Sequence, residues 1–242
     1  MSSFSLAARY AFRELRSGLG GFKIFIACLA LGVAAIAGAG SLNQAIQKGL
    51  EDDAQLLLGG DVQARITYRE VTAEERAALE AAGDVSEQIS MRSMARSIDM
   101  PSGSTRERTL IELKAVDTLY PLYGVLDLDP QRPLSDILAQ QGGYWGAAID
   151  PVLKTRLDIS MGDIIKVGEA ELQVRAFINK EPDRVISFAT AGPRVMVARA
   201  AMAETELIQP GSLISNIYNV RINPGVNANE LRESLKNRFP DA

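Results

Sequence analysis

The sequence predicts an α+β protein in which one amino-terminal transmembrane helix is followed by a mixed α+β domain outside the cytoplasm. Three observations predict this class: a long uncharged apolar run near the amino terminus, a change in charge across that run, and a succession of short strand and helix patterns after it. The chain has 242 residues, of which 47% are hydrophobic, so the part beyond the helix can bury a core of one or two small domains.

The apolar run FKIFIACLALGVAAIAGAGSL, residues 22–42, determines how the rest of the chain is interpreted. No charged residue lies between Ile24 and Leu42. As a helix this stretch extends about 28 Å, close to the roughly 30 Å hydrocarbon core of a bilayer. We therefore predict a transmembrane helix over residues 22–44, and a buried helix of a soluble domain is the least favoured interpretation.

A cleaved secretory signal is the main alternative, because small residues at 35, 37 and 39 offer cleavage patterns. The segment before the run argues against it. Apolar residues recur there at helical spacing, with arginines on the opposite side, so residues 1–21 predict an interfacial helix lying along the cytoplasmic membrane surface. An ordinary signal has only a short basic region at this position. The predicted membrane-surface residues are Arg9, Arg13, Arg16 and Lys23.

The charges on the two flanks of the run predict its orientation. Residues 1–23 carry four basic side chains against one acidic, a net charge of +3, whereas residues 43–60 carry one basic against three acidic, a net charge of −2. Basic flanks stay in the cytoplasm. The amino terminus is therefore predicted to be cytoplasmic and residues 45–242 extracytoplasmic, in the periplasm of a diderm bacterium.

Composition excludes several functional classes. The chain has no histidine, so the usual general base and the commonest metal ligand are both absent, and its single cysteine, Cys28, lies in the apolar run. A net charge of −4 without a basic stripe gives no support to nucleic-acid binding. We predict no catalytic residues, no metal site, no cofactor and no enzymatic activity for this chain. The EPDR stretch, residues 181–184, places two carboxylates beside an arginine, but its proline favours a solvated turn.

The first elements after the run follow from local patterns. A helical stalk is predicted to end at LGGD, residues 58–61, and DVQARI then alternates as a half-buried strand. A helix follows, with Thr72 and Glu75 spaced as a capping box and Gly83 supplying the stop. Residues 85–100 and 108–117 read as the two strands of a long hairpin, joined by a turn at PSGS.

A second block predicts further short elements. PLSDILAQ and DPVLKTRL indicate short helices, the latter capped by Asp150 with Pro151 at its first position. Strands are predicted at GYWGAAID, at PRVMVA, and on either side of Gly168 as a hairpin. The chain then repeats its opening order, a strand at 215–222 and a helix in NANELRESLKNRF. A strand–helix pair at each end suggests an outer lobe interrupted by an inserted lobe at about 108–205.

One face of the apolar run carries only small side chains. Ala30, Ala34 and Gly38 recur every four residues. Small ridges let transmembrane helices approach closely, so these three residues are a candidate helix-packing surface. The alternative is that alanine and glycine are simply common in membrane spans.

Several stretches together resemble a known family. They are RELRSG before the run, LLGGDV after it, KAVDTLYPLYG at 114–124, EPDR at 181–184 and GPRVMVARAAMAETELIQPGS at 192–212. Their combination is similar to the YbbP-like branch of the FtsX/MacB/LolC permeases, and the likeness covers almost the whole chain. None of these motifs is catalytic.

The resemblance implies the amino-terminal part of a permease of the mechanotransmission (type VII) class of ABC transporters. Such a permease would have a bacterial inner-membrane location and a periplasmic MacB-like core domain, composed of a porter-like lobe with an inserted second lobe. Its implied partners are a cytoplasmic ABC ATPase subunit, further transmembrane helices and membrane lipid. The alternative function is a secreted or membrane-tethered periplasmic binding module for a small or lipidic ligand.

Overall fold

The computed structural model describes residues 23–42, 58–98, 108–184 and 192–238, together with positions 10, 13, 44 and 55. The chain divides into two compact units, Met1–Asp52 and Asp53–Ala242. In the first unit, helix α1, Lys23–Leu42, is long and apolar enough to cross a membrane. All of its side chains are exposed, unlike those of the core helix of a soluble domain. The helix itself is confirmed. Its permanence as an anchor stays a prediction, because a signal sequence has the same length and hydropathy.

The second unit is a mixed α+β fold, as predicted. Its strands are β1 Val62–Thr67, β2 Gly83–Ser97, β3 Arg108–Val116, β4 Asp127–Asp129, β5 Gln140–Gln141, β6 Tyr144–Ile149, β7 Ile164–Val167, β8 Ala170–Lys180, β9 Arg194–Ala198 and β10 Ile214–Ile222. Its helices are α2 Ala73–Ala82, α3 Leu134–Leu138, α4 Val152–Arg156, α5 Met202–Thr205, which follows a 3₁₀ turn at Arg199–Ala201, and α6 Ala228–Arg238.

The ten strands of the described residues belong to one sheet, in the order β1-β10-β2-β3-β9-β6-β8-β4, with β5 on β6. Strand β7 pairs with both β2 and β8, so β2, β3, β9, β6, β8 and β7 form a closed ring. The pairs β3–β9 and β6–β8 are parallel, and the other pairs in the ring are antiparallel. Because strand side chains alternate between faces, every second residue of these strands points into the ring. The apolar residues inside it form the main core, which includes Ile111, Leu113, Ile149, Leu172 and Val195.

Two further apolar clusters lie outside the ring. One includes Tyr120 and Leu128 with side chains of α3 and the outward residues Ala148 and Met196. The other packs α2 and α6 against β1 and β10, through Leu79, Leu235, Ile66 and Tyr218. Strands β1, β10 and β2 with their two helices therefore have a core of their own. The boundary of an inserted lobe at about 108–205 stays a prediction.

The local signals for α2 and α4 are confirmed, with one change in each helix. The Thr72 hydroxyl accepts a bond from Glu75 N and the Glu75 carboxylate accepts one from Thr72 N, the predicted capping box. Asp150 Oδ1 accepts from Val152 N at 3.1 Å, but α4 begins at Val152, so Pro151 occupies the N-cap position and not the predicted first helical position. Gly83, however, is not a left-handed helix cap, since its φ of 163° is extended and it begins β2 directly. A Cβ at Gly83 would lie 2.0 Å from the carbonyl oxygen of Arg221, so glycine is required there for close strand approach.

Candidate functional site

The most distinctive polar feature of the described residues is a buried ion network on the outer face of β3. Lys114 alternates with Leu113 and Ala115, which point into the ring, so its own side chain points outward. It is nevertheless only 4% exposed. Its ammonium contacts Glu181 Oε1 at 2.8 Å and Asp183 Oδ2 at 2.8 Å. It also donates to the Tyr120 hydroxyl at 3.1 Å and lies 4.3 Å from the centre of that ring.

Arg194, at the start of β9, supplies the second cation. Its Nε donates to Glu181 Oε2 at 3.0 Å, and its guanidinium pairs with Glu112 Oε1 at 2.8 Å. Glu181 therefore bridges the two cations, one on each carboxylate oxygen. The parallel register of β3 and β9 sets Arg194 directly opposite Glu112. Two cations thus face three carboxylates, and all five charged side chains have an ionic partner.

Burial and the neighbouring charges act in opposite directions on two ionisable groups of the network. Burial opposes the charged form of Asp183, but the Lys114 ammonium, the Tyr120 hydroxyl and a backbone hydrogen bond together lower the pKa of that carboxyl. Burial likewise opposes the charge of Arg194, yet Glu181 and Glu112 raise its pKa. Burial and the neighbouring Asp183 and Glu181 raise the pKa of Tyr120 well above 10.0, so this phenol stays neutral and donates to Asp183 Oδ1 at 2.7 Å.

Residues 58–61, which we call the connecting segment, pack directly against this network. Gly59 has a φ of +70°, and a Cβ at that position would lie 3.2 Å from Asp183 Cβ. Asp61 Oδ2 accepts bonds from the Tyr123 hydroxyl and from Ile222 N, both at 2.8 Å. Burial and Asp61 raise the pKa of Tyr123 to about 12. The connecting segment is therefore held by the 114–124 stretch and by β10 at once.

The prediction that EPDR forms a solvated turn is wrong. Residues 182 and 183 do form a turn, but Glu181 is 7% exposed and both carboxylates bind Lys114. Only Arg184 is partly exposed, and it pairs with Asp150 at 3.2 Å. Proline restricts the turn without deciding which way its neighbours point. The missed signal was the opposite charge of Lys114, which lies 67 residues earlier in the chain.

The structure places the other predicted site residues as follows. Ala30, Ala34 and Gly38 lie in α1 and are exposed, and no described atom lies within 4 Å of a Cβ built on Gly38. Arg13 and Lys23 are helical and exposed, whereas Arg9 and Arg16 lie outside the described residues. Within the described ranges, no group of histidine, cysteine and carboxylate side chains could hold a metal ion.

The ion pairs of this network join several parts of the fold. The Lys114 amine is not free to act as a nucleophile, because two carboxylates hold it. Removing one partner of a buried pair leaves an uncompensated charge, which costs about 3–5 kcal/mol. The network therefore holds the connecting segment, β3, β9 and the 181–184 turn in one arrangement.

The chain is similar to a known protein family and to known proteins. Residues 24–238 match the MacB-like periplasmic core domain. The chain is 29% identical over 226 residues to the uncharacterized ABC transporter permease YbbP of Escherichia coli strain K12. That match covers 93% of this chain but only 26% of the relative, so the chain spans about a quarter of its length.

The chain is also similar to chains in solved structures. The extracellular domain of the noncanonic ABC-type transporter YknZ from Gram-positive bacteria is 14% identical, with a TM-score of 0.46, over 74% of this chain and 96% of that one. The periplasmic region of MacB from Actinobacillus actinomycetemcomitans is 14% identical, with a TM-score of 0.44, over 74% and 83%. Because the family match extends over most of the chain, this protein belongs to the MacB-like periplasmic core domain family.

Proposed function

We propose that this chain is the amino-terminal part of an ABC transporter permease of the mechanotransmission class. A cytoplasmic ABC ATPase is the proposed partner and the only site of ATP hydrolysis. Further transmembrane helices of the permease and membrane lipid are the other partners. In this proposal α1 lies in the bacterial inner membrane with its amino end in the cytoplasm, and the second unit lies in the periplasm.

The observation that carries the proposal is the attachment of the connecting segment. Three of the five stretches that resemble the permeases, LLGGDV, KAVDTLYPLYG and EPDR, meet at one place. Gly59 lies against Asp183, and Asp61 binds both Tyr123 and the β10 backbone. Asp183 is in turn paired with Lys114 on β3. A displacement of the connecting segment would therefore move β3 and β10 together, which is what transmission of a mechanical movement requires.

The coupling is tested in membranes that hold the complete permease and its ATPase. Tyr123→Phe removes the hydroxyl that binds Asp61 and leaves the ring in place. We expect ATP turnover to fall while co-purification of the two subunits stays normal. The matched control is Tyr68→Phe, because Tyr68 is 67% exposed. Equal turnover in wild type and Tyr123→Phe would contradict the proposed path, and failure of any ABC ATPase to co-purify would contradict the function itself.

The orientation is tested separately with single cysteines in a Cys28→Ala background. A membrane-impermeant thiol reagent applied to spheroplasts should label Ser160→Cys, which is exposed in the second unit, and should leave Ser2→Cys unlabelled until the membrane is opened. The reverse pattern would show the opposite orientation. A mature amino terminus near residue 38 or 40 would show a cleaved signal instead.

The small-residue ridge of α1 is proposed to pack against another transmembrane helix. Ala34→Leu and Gly38→Leu should separate the helices and lower ATP turnover, since leucine is tolerated on a lipid-facing surface but not in a close contact. Ala39→Leu and Gly32→Leu are matched controls, because at 100° per residue they lie on other faces of α1. Equal effects of both pairs would mean that the ridge faces lipid.

A second candidate function is ligand binding by the periplasmic unit, which one cleft supports. It has a volume of about 380 Å³ and lies between α3 and the 3₁₀ turn, lined by Leu134, Leu138, Trp145 and Arg199 among others. Small-molecule sites in proteins have volumes of this order. Native mass spectrometry of the purified chain distinguishes this function, because a binding module would retain a ligand that is lost on Leu138→Trp.

A further inference from the structure

Three cationic side chains form a row on the outer face of the ring. The row lies at one end of β3, and the buried network lies at the other end. Arg96 on β2 lies directly opposite Arg108 on β3 and directly opposite Lys166 on β7. Residues in direct register on adjacent strands project from the same face of a sheet. Three positively charged side chains therefore stand side by side across three strands.

The row is only partly neutralised. Lys166 pairs with Glu169 at 2.7 Å and has Glu171 as its register partner on β8. Among the residues that the structure describes, Arg96 and Arg108 form no ion pair. Like charges directly opposite each other on a sheet are destabilising. The Lys166 bond and then the charge of Arg96 lower the pKa of Glu169, which is consistent with a positive potential at this place.

The cations line a cleft that also has apolar surface beside it. The cleft has a volume of about 440 Å³, and its lining includes all three cations, Ser93 and Leu207. Among the described residues of the lining, Glu169 is the only acidic one. The next register pair on the same face is Met94 opposite Leu110. These side chains are 48% and 47% exposed. Cationic and apolar surface therefore adjoin on one face.

We propose that this cleft binds an anionic amphiphile. Its phosphate or carboxylate head group lies between Arg96 and Arg108, and its hydrocarbon chain covers Met94 and Leu110. Guanidinium groups suit such a head group because their planar donors bind two oxygens at once. The bound anion removes the repulsion between the two arginines, which explains how both are tolerated in direct register.

The test measures binding of short-chain phosphatidic acid, dihexanoyl phosphatidic acid below its micellar concentration, to the full chain in maltoside detergent by calorimetry. The double variant Arg96→Gln/Arg108→Gln should bind about tenfold more weakly or worse, since hydrogen bonds to charged groups are lost. Arg132→Gln/Arg156→Gln makes the same change in net charge at exposed positions outside the cleft and should bind like wild type. An equal loss of affinity in both double variants, or no loss of affinity in Arg96→Gln/Arg108→Gln, would overturn the proposal.

Two further probes separate the sources of the anion. Dihexanoyl phosphatidylcholine, which has the same chains and no net charge, should not bind. Inorganic phosphate should bind more weakly than phosphatidic acid, and Met94→Ser/Leu110→Ser should lower only the affinity for the amphiphile. Binding of inorganic phosphate as tight as that of phosphatidic acid would show a free-anion site and overturn the amphiphile assignment.

A folding defect is separated from a binding defect by melting temperature. Loss of one of two opposed like charges should leave the melting temperature of ligand-free Arg108→Gln at or above that of wild type at low ionic strength. Phosphatidic acid should then raise the melting temperature of wild type and not that of the variant. Equal stabilisation of both by the ligand would contradict the site.

Discussion

The outer face of β3 carries charged residues at both ends, and the two ends differ in how the charge is neutralised. At one end Lys114 and Glu112 belong to a buried network in which every cation has a carboxylate. At the other end Arg108 stands beside Arg96, and no described carboxylate pairs with either. The cost of an unpaired charge depends on solvent access, because water screens exposed charges and cannot reach buried ones. The end at which every charge is paired is therefore interpreted as a structural contact. The end with the two unpaired arginines, which we call the unbalanced end, is the proposed ligand site.

The largest expected effect comes from breaking the buried end. Lys114→Met leaves Glu181 and Asp183 without their shared cation and should lower the free energy of unfolding by about 3–5 kcal/mol. Denaturant titration of the full chain in detergent measures this. Lys236→Met removes an exposed pair with Glu233 and should cost less than about 1 kcal/mol. A similar loss of unfolding free energy in both variants would mean that burial does not make the Lys114 ion pairs more important than the exposed Lys236 pair.

The next effect concerns the contact between the connecting segment and the network. Gly59→Ala places a Cβ 3.0–3.3 Å from Asn219 and Asp183 at a φ of +70°. We expect a loss of about 2–3 kcal/mol, of which roughly 1–2 kcal/mol is the left-handed backbone penalty. Gly162→Ala provides the control, since Gly162 has a φ of +94° and no atom within 4 Å of its added Cβ. Chemical denaturation measures the free energy of unfolding of both variants. An equal loss in the two would mean that the connecting segment does not pack closely against Asp183.

The ionisation of the network predicts a pH dependence. Because the folded pKa of Asp183 is lowered below 3.8, its carboxylate contributes stability that is present above about pH 4 and is lost as the pH falls through the lower, folded pKa. Asp183→Asn should be less stable than wild type by about 1–2 kcal/mol at pH 7, and this gap should narrow between pH 4 and the folded pKa. Unfolding free energies of both proteins across that range provide the measurement. A difference in unfolding free energy between the two proteins that grows as the pH falls would contradict this mechanism.

The smallest effect is expected at the unbalanced end. Arg96→Gln should raise the ligand-free stability by at most about 0.5 kcal/mol at low ionic strength, because it removes repulsion with Arg108 and Lys166. The gain should disappear in 1 M salt, where the Debye length is about 3 Å. Lys114→Met should show almost no such salt dependence. A salt-independent gain in Arg96→Gln would exclude charge repulsion as its cause.

Most elements could be predicted because their signals are local. The α2 capping box needs only two residues three positions apart, and it forms as expected. The β7–β8 hairpin needs only alternation on either side of Gly168, whose φ is +61°. The closure of six strands into a ring was not predicted. Closure depends on the pairing of β7 with both β2 and β8. No local sequence pattern determines which distant strand pairs with a given strand edge.

The candidate sites divide in the same way. The apolar length of α1 is a property of consecutive residues, so the sequence by itself determined that this chain has a helix able to span a bilayer. Glycine at 83 was correctly placed at the end of α2, but the reason for it, the carbonyl of Arg221 on β10, appears only in the folded sheet. The tertiary structure alone decided that the two carboxylate side chains of EPDR are buried and that Arg96 meets Arg108 in register. The physical reason is that the free energy of a charge depends on solvent access and on its neighbours in space, and strands far apart in the sequence supply both.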